Sequence, residues 1–134
     1  MKGVLPAITP ETQPFWDGAA RGELVIERCA SCGHNVFPAR GVCARCQGRD
    51  MRAVVVDAPG RIYSYTVNEN PWFPGMEVPF VLVLVEFPDV PGIRVVGRLR
   101  APDLGAVHIG ATVGVGFEPG PGELSIPSFV LDAA

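Results

Sequence analysis

Four cysteines carry the clearest chemistry in this chain. They fall as Cys29-Ala30-Ser31-Cys32 and Cys43-Ala44-Arg45-Cys46, with the ten residues Gly33 to Val42 between them. Each CxxC turn can place two sulfurs on one side of an ion, and zinc takes four thiolates tetrahedrally. Iron in a rubredoxin-like site uses the same four ligands, so the spacing favours structural Zn2+ without excluding Fe. Gly33 and Gly48 follow the knuckles, where a residue free to adopt positive φ turns amides toward the sulfurs. A closed four-thiolate site leaves no coordination position for water or substrate, so its expected role is folding energy and not catalysis.

Charge gathers around this segment. Between residues 28 and 52, Arg28, Arg40, Arg45, Arg49 and Arg52 stand against Asp50 alone, while the rest of the chain holds six basic and thirteen acidic residues. Two readings stand: the arginines meet a phosphorylated ligand or an acidic partner, or they offset the doubly negative tetrathiolate. Arg40 and Arg45 are the candidates for contacting phosphates.

No catalytic set accompanies the metal. Every cysteine is committed to the ribbon, and the two histidines, His34 and His108, are isolated. No GxSxG, HExxH, phosphate-binding glycine loop or dinucleotide fingerprint occurs. A dyad of His108 with Asp103 or Ser125 has no support in the spacing. The chain reads as a binder, not as an enzyme on its own.

These residues need elements to position them. The chain has 134 residues, 48% of them hydrophobic and 19% charged, enough for a real core. With 16 Gly and 14 Pro, short strands suit it better than long helices. Thr9-Pro10-Glu11 marks a helix start, Gly22 a stop, and Pro14 divides the segment into two short pieces. Phe15, Trp16, Ala19 and Ala20 form an apolar stripe that either packs on the core or docks another chain.

From residue 51 the pattern becomes strand after strand: Met51–Val56, Arg61–Val67, Phe80–Phe87, Ile93–Leu99, Thr112–Phe117 and Pro127–Leu131. Five or six short strands predict a small Greek-key barrel, best matched by an OB-fold, with an SH3-like barrel or small sandwich as alternatives. Gly97, Gly114 and Gly116 suit bends and bulges. The fold expected is mainly β, with N-terminal short helices (1–27), a four-cysteine zinc ribbon (28–50) and a five- to six-stranded OB-fold barrel (51–134). The loop Asn68 to Met76 exposes Trp72, Phe73 and Met76, which either cover the barrel end or anchor a partner.

Net charge is -3, which disfavours a dedicated nucleic-acid binder. The longest apolar run, Phe80 to Val85, is too short to cross a bilayer, and Met1 to Pro6 holds no signal-peptide core. A cytoplasmic protein without membrane contact is expected.

The ordered series Pro14-Phe15-Trp16, Gly22-Glu23-Leu24, Cys29-x-x-Cys32-Gly33, Pro38-Ala39-Arg40, Cys43-x-x-Cys46 and Gly60 to Thr66, with Pro79-Phe80-Val81 and Gly110 to Val113 later, resembles the domain-of-unknown-function-35 family. The resemblance covers nearly the whole chain and implies a rubredoxin-like zinc ribbon fused to an OB-fold. It implies a thiolase-superfamily partner that carries the catalytic residues, in acyl-CoA thiolases, assemblies with hydroxymethylglutaryl-CoA synthase or steroid side-chain aldolases, and a heterotetramer formed with it. It further implies that Cys29, Cys32, Cys43 and Cys46 hold the metal, and that a CoA thioester occupies a shared site. The rival expectation is single-stranded nucleic-acid binding on the barrel, with Tyr63 and Tyr65 as stacking residues.

Overall fold

A computed structural model describes residues 6–72, 74–100 and 103–132. The first element is one helix, α1 (Gln13–Ala20). Thr9 does not begin it. Thr9 closes a separate turn, its carbonyl accepting from the Thr12 and Gln13 amides at 3.1 and 2.9 Å. Thr12 is the N-cap and Pro14 falls in the first helical turn, where its missing N–H costs nothing. At the other end Gly22 takes φ 80°, and the Gly22 and Glu23 amides donate to Ala19 and Gly18 carbonyls. This is a Schellman stop.

Two β systems follow. A three-stranded antiparallel sheet has the order β2-β1-β3, from β1 (Leu24–Cys29), β2 (Asn35–Val36) and β3 (Met51–Val56). The barrel takes five strands: β4 (Gly60–Asn68), β5 (Phe80–Glu86), β6 (Arg94–Leu99), β7 (Thr112–Pro119) and β8 (Ser125–Leu131). The first candidate run, Met51–Val56, instead pairs with β1 from Leu24↔Val56 to Cys29↔Met51. The barrel order is β4-β5-β6-β8-β7, closed by Gly60↔Val113 and Arg61↔Thr112. That connectivity is an OB-fold.

Alternation along the strands sets the core. On β5, Val81, Val83 and Val85 are buried while Leu82 faces out. They meet Ile62, Val95, Leu99, Val113 and Phe129 inside the barrel. Leu24, Ile26 and Val56 of the first sheet belong to the same cluster, so one core joins both β systems. Of Gly97, Gly114 and Gly116, Gly97 has a packing reason against the core: a Cβ there would lie 2.7 Å from the Phe129 ring. The registered bulge in β4 falls between Ile62 and Ser64, with no glycine involved. No helix among the described residues is long and apolar enough to cross a membrane.

Candidate metal centre and its surroundings

The two knuckles are built alike. In the first, the Gly33 amide donates to the Cys29 carbonyl and the Cys29 amide to His34; in the second, Gln47 donates to Cys43 and Cys43 to Gly48. β1 delivers Cys29, and the Ala30 amide bonds the Asp50 carbonyl at 2.9 Å just before β3, so the sheet fixes where the first knuckle begins. The equivalent turn residues are Gly33 (φ 78°) and Gln47 (φ 62°). The positive-φ position of the second knuckle is thus Gln47. Gly48 serves differently: its amide points at Cys46 Sγ at 3.4 Å, and a Cβ there would crowd that sulfur at 3.2 Å.

All four sulfurs lie within 4.8 Å of one another. Cys29 and Cys46 Sγ are 3.6 Å apart, as are Cys32 and Cys43 Sγ. These separations are far too long for disulfides. They suit thiolates around one ion, since a tetrahedral Zn–S shell puts sulfurs about 3.8 Å apart. Protonation behaviour agrees with crowding. Backbone donation from Cys32, aided by Ser31 and the neighbouring sulfurs, lowers the Cys29 thiol to about 6. Cys43 is lowered chiefly by the Cys46 backbone. Cys32 is pushed up to about 11, because the lowering by the His34 backbone is outweighed by partial desolvation and the thiols of Cys43, Cys46 and Cys29. Cys29 and Cys43 thus ionise more readily while Cys32 holds its proton, and a cation bound among the sulfurs would displace it. The cysteines form a metal site, and among the described residues they are the one group of three or more His, Cys, Asp or Glu that could hold an ion.

Residues without a sequence signal secure the ribbon. Glu27 on β1 accepts from the Arg40 and Gly41 amides at 2.7 and 3.0 Å, fastening the loop before the second knuckle. Asn35, buried on β2, accepts from Arg28 Nε at 2.7 Å and donates to the Pro91 carbonyl at 2.8 Å. It ties the ribbon to the turn between β5 and β6. Both contacts span distant parts of the chain, which local patterning does not encode.

The other candidate residues lie apart. Arg40 and Arg45 are exposed, and no hydrogen bond or ion pair occupies their guanidinium groups among the described residues. Arg52 pairs with Asp50 at 3.1 Å and holds its carboxyl below the usual range. Phe15 and Trp16 are half-buried, in edge contact at 4.9 Å, and Phe15 also meets Phe37 at 5.6 Å. Trp72 is 67% exposed, its Nε1 donating to Asn68 Oδ1 at 2.8 Å. Met76 lines a groove on the barrel; Phe73 lies outside the described residues. Asp103 caps a short 3-10 turn through the Gly105 amide, and His108 Nδ1 meets the Ala106 carbonyl, so they form no dyad.

Fold and site together define a zinc-ribbon and OB-fold protein. Residues 16–52 match the family description "ChsH2, rubredoxin-like zinc ribbon domain" and residues 53–118 match "ChsH2, C-terminal OB-fold domain". A solved chain from the "Ltp2-ChsH2(DUF35) aldolase" superposes with a TM-score of 0.83 at 31% identity, covering 95% of this chain and 98% of that one. The chain belongs to the DUF35 family. Among curated relatives, the "Probable enoyl-CoA hydratase alpha subunit" of Thermomonospora curvata is 34% identical over 126 residues, 92% of this chain and 38% of that protein. The "3-oxo-4,17-pregnadiene-20-carboxyl-CoA hydratase alpha subunit" of Mycobacterium tuberculosis is 36% identical over 110 residues, 81% of this chain and 34% of that protein. The chain therefore spans little more than a third of the length of these two relatives.

Proposed function

We propose that this chain is the non-catalytic accessory subunit of an acyl-CoA enzyme in steroid side-chain degradation, working in the cytoplasm. The partner proposed is a thiolase-fold aldolase, assembled with this chain as a heterotetramer. The observation that carries the reading is the end-to-end likeness to the chain of the Ltp2-ChsH2(DUF35) aldolase, in which nearly all of both chains is matched. The closed sulfur site and the separate backbone partners of His108 and Asp103 support it from the chemical side, since neither offers an activated nucleophile or an open metal position.

In this reading Cys29, Cys32, Cys43 and Cys46 hold Zn2+, which supplies folding energy to the ribbon. The free guanidinium groups of Arg40 and Arg45 face CoA phosphates, and Trp72 and Met76 contact the partner; Phe73, outside the described residues, is assigned to the same contact from the sequence. Phe15 and Trp16 join that contact through their exposed edges. A hydratase partner is the second reading, favoured by the names of the two relatives. Nucleic-acid binding fits the surface poorly: residues 53–132 carry four basic against nine acidic side chains, and the Arg94 guanidinium already covers the Tyr63 ring at 3.9 Å.

The deciding assay presents the enzyme subunit encoded nearest to this chain with a steroid side-chain β-hydroxyacyl-CoA and, separately, the matching enoyl-CoA. Addition of this chain is expected to raise retro-aldol cleavage by about tenfold or more, the scale of a completed active site. A rise in hydration alone selects the hydratase reading. Equal turnover without the chain, or turnover by the chain alone, contradicts the accessory role.

A further inference from the structure

We propose that the outer barrel face where β5, β6 and β8 meet is a docking groove for an apolar, positively charged segment of the enzyme subunit; this rests on the accessory-subunit reading above. The groove has a cause in the sequence. β6 and β8 run parallel but are registered only at Arg98↔Ser128 and Leu99↔Phe129. Pro127, immediately before, has no N–H to extend that ladder. Beyond it lies a groove of about 810 Å3.

Leu82, Val96, Ile126 and Pro127 line the groove, and Met76 joins them from the 75–77 turn. Val96 is 59% exposed and Leu82 39%. A solvated outer sheet face ordinarily alternates to polar residues, so apolar side chains grouped in a concavity mark a contact surface. Charge selects the occupant. Glu77 and Glu118 also line the groove, and neither carboxylate has an ion-pair partner among the described residues. The one basic lining residue, Arg98, holds its guanidinium over the Phe80 ring at 5.6 Å. An apolar floor with two unpaired carboxylates complements a segment bearing Leu- or Phe-like side chains and a Lys or Arg, and repels a phosphate backbone.

The test measures binding of the full chain to the enzyme subunit by titration calorimetry, for wild type and for Val96→Lys, Glu118→Lys and Val55→Lys. Val55 is 45% exposed on β3, outside the groove, and serves as the control. Melting of each free variant verifies folding, and Glu118→Lys serves if Val96→Lys melts early. The groove predicts that both groove variants weaken binding at least about tenfold while the control binds like wild type. Wild-type binding with unchanged groove variants overturns the groove and leaves the accessory role standing. Equal weakening by Val55→Lys also overturns the groove. No binding by wild type overturns both. A fluorescent single-stranded oligonucleotide that binds wild type and is released by Val96→Glu would assign the groove to nucleic acid instead.

Discussion

At the second knuckle a glutamine holds the backbone shape that glycine holds at the first. Gln47 at φ 62° carries a left-handed strain that Gly33 at φ 78° avoids. Gly33→Ala should therefore cost about 1–2 kcal/mol, and Gln47→Gly should be neutral or stabilising, measured by denaturant unfolding of the metal-loaded chain. The opposite order would mean that the Gln47 side chain makes a contact of its own. Ser128 offers a second residue-level test. Its hydroxyl is buried without a hydrogen-bond partner, so Ser128→Ala should stabilise the chain or leave it unchanged within about 1 kcal/mol. A clear loss would reveal a bound water or ligand at that oxygen. Cys43 and Cys29 are the two buried members of the four-sulfur group. Cys43→Ser should lower metal content from one ion per chain towards zero by elemental analysis. Retention of a full equivalent would contradict the four-sulfur site.

Among the elements, β6 and β8 decide most of what the barrel can do. Gly97 makes room for Phe129, which is fully buried at the centre of the core. Gly97→Val should cost about 1–3 kcal/mol by forcing that ring aside, and Phe129→Ala about 3–5 kcal/mol by leaving a cavity. Thermal melting checks both, and a wild-type melting point for Gly97→Val would show that the ring has room to move. Sequence pattern located these strands because β-branched alternation is local. It did not show that Val54, Val55 and Val56 pair with β1, since a valine-rich run fits either β system and the choice depends on a partner thirty or so residues away. The break in the β6–β8 ladder was equally hidden. Pro127 was visible, but its consequence depends on which strand lies beside it.

On the scale of the whole molecule, the legible part was the metal site, because four cysteines at knuckle spacing specify geometry and chemistry together. The surroundings were less legible. Glu27 and Asn35 act on backbone groups far along the chain, and nothing in their neighbours' spacing distinguishes them from surface polar residues. The shared core of Leu24, Ile26 and Val56 with the barrel means that the ribbon sheet and the barrel support each other. Removing metal should then loosen the knuckles while β1 and β3 keep their protection, which hydrogen exchange with and without chelator would resolve. Loss of protection throughout the barrel would place the metal at the base of the whole fold.

The most direct measurement is co-expression of this chain with the thiolase-like subunit encoded nearest to it, followed by size exclusion with multi-angle light scattering. The accessory role predicts one peak containing both chains in equal number, at the mass of a heterotetramer. Two separate peaks, with this chain alone and the enzyme subunit fully active without it, would contradict that role.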